Sequence, residues 1–165
     1  MPAEEENRLH RCCFQGCTIV LRDLPGSEVY KLETCLRELA EHHNRVSVNF
    51  KGSYPKKPYT ETLHSFEADV RSGKSRIAVI DSDDRIVAFC KTDMNEGQGK
   101  IDYLIVLNEY RSRGYGDMLM NWAMDLFRQC GVDQIEVKVA DGNNAIRFYE
   151  KYGFRMNAHL LRTNL

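Results

Sequence analysis

A three-layer α/β domain around a mixed, largely antiparallel sheet is the fold class that this 165-residue sequence predicts. Two observations carry it. The elements read in the order β-α-α-β-β-β-α-β-α-β, with the helices split into two groups that can cover opposite faces of one sheet. An apolar strand, Lys100–Leu107, also runs through an Arg/Gly-rich turn straight into a long amphipathic helix. With 42% hydrophobic and 28% charged residues, the chain is long enough to build one core without disulfide or metal support. Residues 1–165 therefore read as a single domain, with 1–11 as a charged, flexible arm.

Each element has its own reason. Thr18–Arg22 is a run of β-formers and reads as the first strand. Ser27 can cap a helix reaching about His43, because Val29, Leu32, Cys35, Leu36 and Leu39 fall near 3.6-residue spacing. Phe50–Tyr59 holds Gly52, Pro55 and Pro58 and reads as a loop. A second helix starts at Thr60 or Glu61, turns Leu63, Phe66 and Val70 inward, and stops at Ser72-Gly73. Ser75–Asp81 and Arg85–Lys91 form a hairpin across the Ser-Asp-Asp turn. Asn95–Gly99 turns the chain into strand Lys100–Leu107. The next helix carries Met118, Leu119, Trp122, Ala123, Leu126 and Phe127 on one face and ends near Gly131. Gln134–Val139 alternates as a strand, a helix follows Asn143, and a closing strand is expected within Arg155–Leu165.

Composition removes several function classes. A net charge of −1 gives no reason to expect nucleic acid or an anionic membrane as partner. No window approaches twenty apolar residues, and the acidic N-terminus Met-Pro-Ala-Glu-Glu-Glu is not a signal peptide, so a cytoplasmic protein is expected. Cys12, Cys13 and Cys17 cluster beside His10, but no second ligand pair stands at zinc-finger spacing. The six cysteines are expected as free thiols, with no metal.

The chemistry is written in two segments. The first is Arg111-Ser-Arg-Gly114-Tyr-Gly116, between strand and helix. Such a turn leaves backbone N–H groups unpaired at a helix N-terminus, where the macrodipole also favours an anion such as pyrophosphate. Gly114 and Gly116 let the backbone approach closely. The turn lacks the Lys-Ser/Thr of a Walker loop and the Gly-x-Gly-x-x-Gly of a dinucleotide fold. The second segment is Ala145-Ile-Arg-Phe-Tyr149-Glu-Lys-Tyr-Gly153-Phe154, behind an Asn-containing loop.

Together these segments resemble the GNAT superfamily of N-acetyltransferases, over roughly residues 75 to 158. The family carries a Gln/Arg-x-x-Gly-x-Gly/Ala pyrophosphate turn, then an Asn loop and a helix ending Tyr-Glu-Lys-x-Gly-Phe. The resemblance implies a sheet splayed at the cofactor site and acetyl transfer from acetyl-CoA to a primary amine of a small molecule or protein. It implies that the pyrophosphate sits on Arg111, Ser112, Arg113, Gly114, Tyr115, Gly116 and Asp117. Asp117 is a departure, since a carboxylate beside phosphates repels them unless it points away. Pantetheine would pair with the backbone of Leu104, Ile105 and Val106, and the Leu104 N–H would meet the oxyanion. Tyr149 would be the general acid for the departing thiolate, although Ala145, Phe148, Tyr149 and Tyr152 also fit an ordinary core stripe. The Asn of the family pattern is replaced by Gly142, so Asn143 or Asn144 either contacts pantetheine or caps the helix.

Three choices stay open at this point. The general base is Glu136 on its strand, Asp102 on an otherwise apolar strand, or a water relay or residue from the N-terminal half. The interleaved Lys51, Lys56, Lys57, Tyr54 and Tyr59 suggest an acidic or planar acceptor, or else solvated lysines on a mobile loop. His42-His43, at a helix end, reads as capping rather than catalytic. The partners are acetyl-CoA and an unidentified amine, and a homodimer stays open. A non-catalytic acyl-CoA-binding or sensing module is the alternative; a nucleotide-binding domain lacks the Walker lysine.

Overall fold

The computed structural model describes residues 10–14 and 17–163. The six strands β1 (His10–Phe14), β2 (Cys17–Asp23), β3 (Ser75–Ser82), β4 (Arg85–Asn95), β5 (Gln98–Val106) and β6 (Gln134–Val137) lie side by side in chain order. Every neighbouring pair is antiparallel except β5 and β6, which run parallel. Four helices, α1 (Glu33–Val46), α2 (Tyr59–Arg71), α3 (Tyr115–Gln129) and α4 (Ile146–Glu150), complete the domain. β4 is buried without alternation from Ile86 to Thr92, which requires cover on both faces of the sheet. α1 and α2 supply one cover, α3 with α4 the other. On the first face Phe66 of α2 meets Tyr103 edge-on at 4.9 Å. On the second, Phe127 of α3 lies so close to Gly99 that a side chain there would collide with its ring.

Two features shape the sheet where the site forms. β5 has one more residue than β4 between the pairs Lys91↔Tyr103 and Thr92↔Ile101, so Asp102 is the bulged residue. The parallel pairing of β5 with β6 stops at Ile101↔Val137. From Asp102 to Val106, β5 therefore has β4 on one side and no strand on the other. The expected splay is present, and it begins at the bulge.

Several expectations need correction. Arg11 belongs to β1, paired with Val20, rather than to an arm; residues 1–9 lie outside the described residues. Ser27 caps no helix. Pro25 leads into a 3₁₀ segment, Gly26–Leu32, and α1 begins only at Glu33. β6 ends at Val137, two residues early, where β5 bends away from it. Residues 155–163 form no strand, and Met156, Leu160 and Leu161 are exposed. That segment has no β-branched residue before Thr163 and places Asn157-Ala158 in its middle, a poor strand sequence; residues 164–165 lie outside the described residues. The side chains of the Cys12–Cys13–Cys17 cluster are likewise outside it. Among the described residues, no His, Cys, Asp and Glu side chains gather as a metal site, and no helix is long and apolar enough to cross a membrane.

Candidate active site

A cavity of about 420 Å³ opens where β5 and β6 part. It is lined by Ile101–Leu104 and Val137–Ala140, together with Asn143, Ala145 and Tyr149. α1 and the α1–α2 loop add Leu36, Ala40, His43, Tyr54 and Lys56 to the lining. The loop that the sequence marks as basic and aromatic thus borders the same space as the splayed strands.

The Arg/Gly turn lies at the C-terminal end of β5. Ser112 (φ 60°) and Gly114 (φ 81°) both adopt left-handed backbone, so successive N–H groups converge in a nest at the start of α3. Met118 N–H makes the first helical bond, to Gly114 C=O at 3.0 Å. The N–H groups of Ser112 through Asp117 have no acceptor among the described residues. Arg111 Nε donates to Val106 C=O at 3.1 Å, and Arg113 Nη2 donates to Glu109 C=O at 3.0 Å. Each guanidinium is thereby oriented and keeps further N–H donors. Gly116 faces Phe148 of α4, where an added Cβ would sit 3.4 Å from the ring. Asp117 resolves its own difficulty. Its carboxylate accepts from the Tyr152 hydroxyl and from Lys151 Nζ at 2.9 Å, binding α3 to α4. Those two bonds hold the carboxyl below its usual range.

Tyr149 projects from α4 into the cavity and is 8% exposed. Its hydroxyl has no hydrogen-bond partner among the described residues, and its oxygen reaches open space. Burial raises its pKa well above the ordinary phenol, so it carries a proton at neutral pH. Phe148 and Phe154 contact its ring edge-on at 5.4 and 5.8 Å and fix its direction. Tyr149 thus belongs to the buried stripe and also lines the cavity.

The two carboxylates differ. Asp102, at the bulge, accepts from Lys91 at 3.0 Å and from Lys100 at 2.5 Å. Burial alone would raise its pKa, but the two ammonium groups outweigh it and hold the carboxyl low. Lys91 is 1% exposed and also meets Asp93 at 2.5 Å and Asp69 at 3.5 Å, joining α2, β4 and β5 through one cation. Asp102 therefore has the partners that a carboxylate on an apolar strand requires. Glu136 is exposed and does not border the cavity.

The Asn loop is built by three neighbours. Asp141 accepts from Ser47 Oγ at 2.7 Å and from the N–H groups of Val48 and Asn49, each at 2.8 Å. Gly142 (φ 73°) packs directly on the Val46 carbonyl oxygen, leaving no room for a Cβ. This contact accounts for glycine at the position where the family pattern has Asn. Asn143 Oδ1 accepts from Ala145 N–H at 3.0 Å, and Asn143 borders the cavity. Asn144 is exposed and does not.

His43, read from the sequence as a capping residue, borders the cavity instead. Its ring lines the cavity and packs against Tyr54 at 4.9 Å. Burial and the neighbouring His42 lower its pKa, opposed by Asp141, so the imidazole is neutral at pH 7. The available sign was its place one turn after Leu39 and Ala40, on the inward face of α1. What hid it was the paired His42-His43 at a helix end.

Residues 36–154 match the model of the acetyltransferase (GNAT) family. N-alpha-acetyltransferase 30 of Schizosaccharomyces pombe is 29% identical over 110 residues, which cover 64% of this chain and 73% of that protein. The PaiA N-acetyltransferase of Thermoplasma acidophilum, solved in complex with coenzyme A, superposes with a TM-score of 0.71 at 17% identity. That match spans 84% of this chain and 91% of the other. Aminoglycoside N-acetyltransferase AAC(6')-Iy, in complex with CoA, gives 0.70 at 13% identity over 93% and 99% of the two chains. These superpositions establish the shared fold. With the family match running from α1 to the end of the Tyr-Glu-Lys-Tyr-Gly-Phe segment, the chain belongs to the acetyltransferase (GNAT) family.

Proposed function

We propose that the protein transfers an acetyl group from acetyl-CoA to a primary amine by direct attack. One observation carries this reading. The free edge of β5 from Asp102 to Val106 runs between a turn with unpaired N–H groups and a cavity containing a protonated Tyr149. A long ligand with an anionic end and a reactive end suits that track. The N–H groups of Ser112–Asp117, with Arg111 and Arg113, would hold the pyrophosphate. The backbone of Leu104, Ile105 and Val106 would pair with the pantetheine amides in place of the missing strand, and Asn143 rather than Asn144 is near enough to assist.

The amine nitrogen then attacks the thioester carbon. A C–N bond forms, the C–S bond breaks, and the Leu104 N–H steadies the oxyanion in between. The departing thiolate takes the proton of Tyr149. The attacking amine must lose a proton, and we assign its acceptance to His43, directly or through water. His43 is a neutral base on the cavity wall, whereas Asp102 is committed to two lysines and Glu136 lies outside the cavity.

Calorimetric titration with acetyl-CoA, with desulfo-CoA and ATP as controls, tests the cofactor half. Saturable binding shared by acetyl-CoA and desulfo-CoA but not ATP is expected. Binding without turnover across a wide panel of amines would instead favour an acyl-CoA-binding module. Preference for ATP would overturn the reading.

A further inference from the structure

We infer that the acceptor is a small amine carrying its own anionic group, a carboxylate or phosphate a few bonds from the nucleophilic nitrogen. This inference rests on the acetyl-transfer reading and deepens it. Three cationic side chains, Lys56, Lys57 and Lys138, border the cavity, against a single carboxylate, Asp102. That carboxylate is already neutralised by Lys91 and Lys100. Lys57 pairs with Glu61 at 3.1 Å. Lys56 and Lys138 have no carboxylate partner among the described residues. A second ammonium group on the acceptor would meet two unpaired cations and no free anion. An anionic group would meet the reverse.

Lys56 is exposed and borders the cavity with its ammonium over two aromatic rings. Its ammonium lies 4.8 Å from the ring centres of both Phe50 and Tyr54. Tyr54 is itself pinned, because Asn44 donates to its carbonyl at 2.8 Å and accepts from its N–H at 3.0 Å. Asp141 anchors the start of the same loop through Ser47, Val48 and Asn49. The loop lysines are exposed, as a solvated loop requires, and the loop is hydrogen-bonded at two points beside the cavity. A small acceptor fits the space. The cavity of about 420 Å³ must also receive the acyl end of the cofactor, leaving room for a molecule of modest size.

The test compares amines matched in length. γ-Aminobutyrate, butylamine and 1,4-diaminobutane differ in tail charge; phosphoethanolamine and ethanolamine separate phosphate from carboxylate; an acidic tetrapeptide tests a protein N-terminus. Binding of each to the CoA-saturated protein is read by calorimetry, and turnover with acetyl-CoA separately. The anionic amines should bind about tenfold more tightly than the neutral ones, with the diamine weakest, and the difference should shrink with added salt. Lys56→Glu should reverse the order while acetyl-CoA affinity stays unchanged, and Lys138→Glu should weaken the preference. Equal or tighter binding of the diamine, an unchanged order in Lys56→Glu, or tighter binding of the tetrapeptide than of the small anions would overturn the inference. Preferential binding without turnover would count against acetyl transfer and leave the charge preference standing.

Discussion

A phenol is a useful acid only if it keeps its proton until the thiolate appears, and burial gives Tyr149 that property. Tyr149→Phe preserves the ring contacts with Phe148 and Phe154 and removes the proton. Turnover should fall about a hundredfold or more, the usual range for a positioned acid, while calorimetric affinity for acetyl-CoA holds. Unchanged turnover would return Tyr149 to the core stripe. The role proposed for His43 runs in the opposite sense, since an imidazole accepts a proton only when neutral. Its pKa is lowered, so kcat/KM should hold until the pH drops below about 6.5, the ordinary imidazole value, and then decline as the ring protonates. His42, Tyr54 and Asp141 face the same ring, and only Asp141 opposes the lowering. In His43→Gln the rate should be reduced and this acid limb lost. A limb that stays where it was would assign the base elsewhere.

At the scale of elements, the site depends on how neighbouring segments are joined. Gly142 connects the β6–α4 loop to the end of α1 with no space for a Cβ and with positive φ. Gly142→Ala should cost about 1–3 kcal/mol for the strained backbone and displace the α1–α2 loop. Chemical denaturation reads the first effect, and a rise in the amine KM with little change in acetyl-CoA affinity reads the second. Lys91 makes the corresponding join beneath the bulge. Lys91→Ala would leave Asp93 and Asp102 facing each other without their shared cation. Because both carboxylates retain some contact with solvent, we expect the low end of the usual penalty, about 3 kcal/mol, measured as a lower denaturation midpoint at constant m-value.

For the whole molecule, acetyl-CoA would bridge elements that the fold leaves apart: the start of α3, the free edge of β5 and α4. A ligand that binds only the folded state stabilises it by mass action, about 2.7 kcal/mol at a hundredfold excess over Kd. For a chain of this size that corresponds to a rise in Tm of roughly 5–10 °C, readable by differential scanning calorimetry. Desulfo-CoA should give nearly the same shift. A shift absent with both would remove the track along β5 from the argument.

Much of this could be read along the chain, because it depends on local spacing. The Arg111–Gly116 turn, the α3 apolar face and the Tyr149–Phe154 segment each lie within a few residues, and the family was legible from them. β1 was missed because its cysteines invited a metal or thiol reading, although Gln15-Gly16 separates two runs able to pair. The closing strand, read within Arg155–Leu165 along the chain, is absent from 155–163, where local composition does not favour it. Other properties depended on partners far away in sequence. Whether Asp102 is free or neutralised depends on Lys91, eleven residues earlier on the paired strand. Whether Asp141 repels or anchors depends on a loop more than ninety residues distant. His43 became a candidate base only when α1 was laid against the cavity. Backbone geometry and apolar periodicity are written locally, so the sequence by itself determined the family and marked the glycine turn and Tyr149 as the proposed phosphate site and acid. Charge and proton affinity are set by whatever packs around a group, so the surroundings of His43, Asp102 and the cavity lysines, on which the proposed base and acceptor rest, were decided by the tertiary structure alone.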